Sequence, residues 1–196
     1  CGGCNGCSRC CHGMGNSIIL DPYDVYRMTT GMGKSMQELL AASVELNVVD
    51  GVILPNLKMQ GAEEACAYLD GEGRCSIHPY RPGICRLFPL GRYYENGGFS
   101  YFLQTGECAK ENRSKIKVSK WIDTPDLTRN QQFTLQWHDL LHAMEERLTG
   151  EDEGKQREEN LLLLRLFYLL PYEGTIDFYT QFTERMEHWN GQNGQI

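Results

Sequence analysis

A chain of 196 residues is long enough to bury a core of its own and does not depend on a disulfide scaffold. With 19 Lys and Arg against 26 Asp and Glu, the formal charge is −7, which leaves no basic footprint for nucleic acid. The longest apolar run, Leu161–Leu164, is broken by Arg165 and resumes over Leu166–Leu170, too short and interrupted for a membrane span. No signal-peptide pattern is visible, and a chain that opens on cysteine is expected to have residues ahead of it. Reduced thiols without an export signal point to the cytoplasm.

The first feature in chain order is Cys1-Gly-Gly-Cys4-Asn-Gly-Cys7-Ser-Arg-Cys10-Cys11. Cys1-x2-Cys4-x2-Cys7-x3-Cys11 has the spacing of the bacterial ferredoxin run, with His12 where proline usually follows. Gly2, Gly3 and Gly6 let the chain curl tightly round a metal. Zinc fits as well: Cys-x2-Cys is half of a zinc site, and Cys75-x2-His78 or Cys85 completes a tetrahedron. Nine cysteines are an odd number, so disulfides alone would leave one thiol over. Nine thiols also exceed one tetrahedral site, which favours two sites or one cluster with spare cysteines. Cys10 and Cys11, as neighbours, are expected to point apart and to serve different metals, or one of them to be no ligand.

Two helices are expected next. Asp21-Pro22 supplies an N-cap and a first-turn proline. Ser35-Met-Gln-Glu38 is a capping box for the second. It also explains Gly31-Met-Gly33-Lys34-Ser35 better than a phosphate-binding loop does, since Met28 stands where that loop needs glycine. Residues 44–121 read as mainly β and irregular. Asp50-Gly51 between Val48-Val49 and Val52-Ile53 marks one hairpin, and Asn96-Gly97 marks another whose second strand runs over Phe99–Gln104 towards Cys108. Both hairpins are expected to carry the later cysteines back to the N-terminal run. Helices follow over about Asp126–Leu148, Lys155–Leu170 and Ile176–Trp189, the second stopped by Pro171. His138-Asp139-Leu-Leu-His142 in the first of them is read as a surface or semi-buried histidine pair, because no third ligand is evident. The fold class expected is α+β: a cysteine-rich core with short hairpins over residues 1–121, and a helical region, 122–196, packing on it.

Cys4-Asn-Gly-Cys7-Ser-Arg-Cys10-Cys11 is followed by Cys66-Ala-Tyr-Leu, Cys75-Ser-Ile-His78-Pro-Tyr-Arg81-Pro82-Gly-Ile-Cys85-Arg86-Leu-Phe88-Pro89 and Gly106-Glu-Cys108. Over roughly residues 4–110 this order resembles the CxxCxxCC family of zinc- or iron-chelating proteins, which includes the flagellin lysine-methylase group. The resemblance implies eight cysteine ligands; Cys1 is an addition to them, and His78 replaces a usual aromatic. The methylase activity does not carry over: there is no glycine-rich strand-to-helix loop for S-adenosylmethionine and no Cys-x3-Cys-x2-Cys spacing.

The expected metal ligands are Cys1, Cys4, Cys7, Cys10, Cys11, Cys66, Cys75, Cys85 and Cys108. Arg81 and Arg86 are expected to offset thiolate charge and to donate hydrogen bonds to sulfur. Prolines 79, 82 and 89 stiffen the segment that presents Cys85. The expected cofactor is an iron–sulfur cluster of the 4Fe–4S type, in one or two sites, serving redox or cluster-assisted transfer chemistry. The alternative is structural zinc in a module whose helices bind a protein partner.

Overall fold

The computed structural model describes residues 7–108 and 115–193. Local sequence signals set its helix starts. Asp21 accepts from the Asp24 N–H, the Asp24 carboxylate accepts from the Asp21 N–H, and Pro22 fills the first turn of α1 (Pro22–Met32). Gly33, at φ +63°, closes α1 in the left-handed region. Ser35 and Glu38 cap each other at the start of α2 (Met36–Ala42).

The β structure is three separate two-stranded antiparallel pairs. β1 (Val44–Val49) and β2 (Val52–Leu57) turn at Asp50-Gly51, with both residues at positive φ. β3 (Met59–Gln60) and β4 (Ala65–Cys66) are only two residues long each. β5 (Leu90–Glu95) and β6 (Gly98–Leu103) turn at Asn96-Gly97. Two short helices flank the last pair in sequence, α3 (Gly83–Leu87) and α4 (Val118–Ile122). The long helices follow: α5 (Leu127–Leu148), α6 (Glu153–Leu164) and α7 (Phe178–Asn193). The fold is α+β, as expected.

One expected helix is shorter than its pattern implies. The α-helical geometry of α6 stops at Leu164, and Arg165–Leu169 form a π turn ahead of Pro171. The wider turn sends Phe167 and Tyr168 into the core together, at 0% and 1% exposure. Arg185 of α7 then closes the end: its Nη1 donates to the carbonyls of Leu166 (2.6 Å) and Leu170 (3.0 Å), and its Nη2 to that of Pro171 (2.9 Å). Its guanidinium stacks 3.6 Å from the Tyr172 ring centre.

A single hydrophobic cluster joins the N-terminal and C-terminal halves, running from Ile18 and Leu20 through β2 to α5, the π turn and α7. Edge-to-face rings dominate its centre, such as Phe133 with Phe182 (4.8 Å, 87°) and Phe133 with Phe178 (5.0 Å, 88°). β2 faces this core, while β1 leaves Leu46 and Val48 exposed. Asn160 of α6 fastens the hairpin, accepting from the Ile53 N–H (2.6 Å) and donating to the Gly51 carbonyl (3.2 Å).

Candidate metal centre

The cysteines are brought together by short backbone pairings rather than by long strands. Arg9–Cys11 form one 3-10 turn, closed by the Cys11 N–H on the Ser8 carbonyl at 2.8 Å. His12 then bridges to Ala65, and the Gly13 N–H donates to the Glu64 carbonyl at 3.0 Å. That lays the N-terminal run along β4 and sets Cys11 beside Cys66. Beyond Cys66 the chain folds back at once. The Asp70 side chain accepts from the N–H groups of Glu72 (2.9 Å) and Arg74 (2.8 Å), and Leu69 bridges to Cys75. Gly73, at φ +72°, turns its bare Cα towards Ser8, so a side chain there would sit 3.6 Å from the Ser8 Oγ. The expected carriers were the two longer hairpins. β5–β6 does run on towards Cys108, but Cys66 and Cys75 are carried by the two-residue pair β3–β4 and this Asp70 turn, because β1–β2 is taken up by the core and α6.

Cys85 arrives on α3. The turn ahead of it lies against one stripe of α1, formed by Asp24, Arg27 and Gly31 at spacings of three and four. Asp24 accepts from the Gly83 N–H at 2.7 Å. Arg27 donates to the Pro79 carbonyl. Gly31 meets the Tyr80 ring face, where an added Cβ would come within 2.3 Å of ring carbons. At the other end of the block, the Trp121 indole N–H of α4 donates to the carbonyls of Leu87 (3.1 Å) and Phe88 (3.2 Å).

Cys10, Cys11, Cys66, Cys75 and Cys85 are half-buried thiols that act on one another's charge. Interaction with the neighbouring Cys11 thiol holds the Cys10 thiol down at about 6 against its burial, with Arg81 helping. The same interaction pushes Cys11 up, reinforced by burial and by the charges of Cys10, Cys66 and Cys85. Burial pushes up Cys66, Cys75 and Cys85, the last further raised by the Asp24 charge. The 3-10 turn keeps the Cys10 and Cys11 side chains close enough to interact with each other.

The other expected residues fall as follows. Cys7 and Cys108 are half-buried and border segments 1–6 and 109–114; Cys1 and Cys4 lie outside the described residues. Arg81 bears on Cys10 and Cys75. Arg86 is buried and turned elsewhere, donating to the Arg81 carbonyl at 3.0 Å and lying 5.8 Å over the Tyr23 ring. His78 is exposed, in the turn His78–Tyr80. His138 stacks on Tyr94 (3.8 Å between ring centres) and His142 lies by Glu146, so the histidine pair stays on the surface. Among the described residues no three His, Cys, Asp or Glu side chains are closed round one point to hold a metal ion. The donor set is nonetheless of the right chemistry: soft thiols from separate stretches of chain, with an arginine beside them.

Sequence reasoning missed Asp24, because its only signal was helix capping. It also missed a cleft of about 380 Å³ that shares Tyr80 with the motif and is lined by Tyr26, Arg27, Arg129, Asp177 and Tyr179 among others. The Asp177 carboxylate there is already gripped by Arg129 at 2.6 and 3.3 Å.

Thiols presented on short turns, beside a core built from helices and the strand β2, fit a cysteine-rich metal-chelating class of protein. Residues 3–134 match the model of the CxxCxxCC family, described as "Putative zinc- or iron-chelating domain", and the chain belongs to that family. No curated protein and no solved structure matches it.

Proposed function

We propose that this is an iron–sulfur protein, its cluster held by thiolates drawn from Cys1, Cys4, Cys7, Cys10, Cys11, Cys66, Cys75, Cys85 and Cys108. The observation that carries this is that thiols from three separate stretches of chain, at 10–11, at 66 and 75, and at 85, lie near enough to act on one another's charge. The ferredoxin-like spacing of the N-terminal run supports a cluster over a single ion. A bound cluster supplies one-electron exchange. The chain's own part is to offer sulfur, to shield it by half-burial, and to set Arg81 beside it as a counter-charge. In this account residues 1–121 hold the metal, 122–196 support them, and the exchange is with a protein partner or substrate in a reducing, cytoplasmic setting.

Structural zinc is the second reading. It is favoured by the smallness of β3–β4, where two-residue strands carry Cys66 and a tetrahedral ion would hold what hydrogen bonds alone hold weakly. Both are tested by an absorption spectrum with iron, acid-labile sulfide and zinc quantitation on protein purified without oxygen. Broad visible absorption with iron and sulfide in cluster ratio is the expected result. A colourless protein with roughly one or two zinc ions transfers the assignment to zinc. Protein that holds neither metal contradicts both.

A further inference from the structure

We infer that Asp24, which belongs to no cysteine motif, is the positioning residue that presents Cys85 to the metal, and that Arg86 serves Asp24 rather than the thiolates. This rests on the metal site proposed above.

α3 has five residues, too few to hold helical form unaided. Its N-cap is Pro82, whose side chain has no acceptor to offer the first N–H groups. The missing acceptor comes from α1: Asp24 Oδ1 takes the Gly83 N–H at 2.7 Å. That carboxylate is itself fixed, because its Oδ2 accepts from the Asp21 N–H at 3.3 Å. It is buried at 2% exposure, and the N–H it accepts from lies two residues ahead of Cys85 in the chain. A buried carboxylate needs a counter-charge. Arg86 lies across Gly83 from Asp24: a Cβ added at Gly83 would lie 3.5 Å from Asp24 Oδ1 and 3.6 Å from Arg86 Nη2, and the guanidinium charge opposes the rise of the Asp24 carboxyl without closing an ion pair on it. Arg86 is 5% exposed, and its Nη1 is used on the Arg81 carbonyl. Arg86 thus faces the turn and Asp24, and Arg81 is the motif arginine that bears on Cys10 and Cys75.

The test uses the reduced, metal-free chain and three variants. Asp24→Ala removes the acceptor. Asp24→Asn keeps an amide oxygen for the Gly83 N–H while it removes the charge and the second oxygen that accepts from the Asp21 N–H. Met144→Ala is a stability control in α5, at a core position remote in sequence from every cysteine. Zinc affinity is read by competition with a chromophoric chelator, and the rate of iodoacetamide labelling is read at each cysteine by mass spectrometry. Asp24→Ala is expected to weaken zinc binding about 10-fold or more and to speed labelling of Cys85 relative to Cys66. Asp24→Asn is expected to stay within about 3-fold of the parent in affinity, with Cys85 still slow. Met144→Ala should melt earlier yet move neither readout. The inference is overturned if Asp24→Ala matches the parent in both readouts, or if Met144→Ala reproduces its pattern. A parent chain that takes up no zinc and no iron overturns the metal reading instead, and Cys85 labelling then still decides whether Asp24 holds α3.

Discussion

Asp21 and Asp24 face each other across the first turn of α1, each accepting the other's backbone N–H. Burial and then the neighbouring Asp24 charge push the Asp21 carboxyl from 3.8 up to about 7. Burial also raises Asp24, with Arg86 opposing. A carboxyl whose folded value lies above its unfolded one binds its proton more tightly in the folded state. Its contribution to stability is whole below pH 4 and is lost as pH rises towards 7. The metal-free chain should therefore lose stability over that window, by a few kcal/mol at most for a shift of this order. Asp21→Asn keeps the cap and removes the titration. Urea melts at pH 4 and pH 8 should show the variant gaining on the parent at the higher pH only. An equal difference at both would contradict the assignment. The pairing of Asp21 with a following proline was plain in the sequence, since a cap is a local signal. The burial that makes this acid titrate high comes from packing, and no local signal carries it.

α1 is the element on which most of the arrangement depends. Its Asp24, Arg27 and Gly31 stripe receives Gly83, Pro79 and Tyr80 in turn. Alanine at Gly31 is the better helix former by about 1 kcal/mol, yet it drives a methyl into the Tyr80 ring. Overpacking of that kind costs about 1–3 kcal/mol, so Gly31→Ala should leave stability flat or lower and should weaken metal binding, as read by urea melts and chelator competition. A gain of about 1 kcal/mol with metal binding intact would mean that Tyr80 moves aside freely. The π turn offers a second check. Arg185→Ala strands three carbonyls that now share one guanidinium, and should cost about 3 kcal/mol by urea denaturation, with Arg185→Lys recovering only part. Helix starts and the Asp-Gly and Asn-Gly turns were legible because residues within four positions decide them. β3–β4, α3 and the π turn were not, because His12 with Ala65, Asp24 with Gly83, and Arg185 with Leu166 are decided by partners distant in sequence.

At the scale of the whole molecule, a large aromatic core carries a metal-chelating face that has little regular structure of its own. The cysteine set and the arginine-bearing block were visible as spacing, and the family assignment agrees with that reading. Which thiols meet was not visible, since it depends on the N-terminal turn lying against β4 and on α3 being held to α1. No helix among the described residues is long and apolar enough to cross a membrane. The central claim is that thiolate sulfur from these gathered cysteines binds the metal. X-ray absorption at the metal edge on anaerobically purified protein tests it most directly. The account predicts a first shell of about four sulfur atoms near 2.3 Å, with metal–metal scattering behind it if the cluster assignment holds. A first shell made of nitrogen and oxygen alone would contradict it.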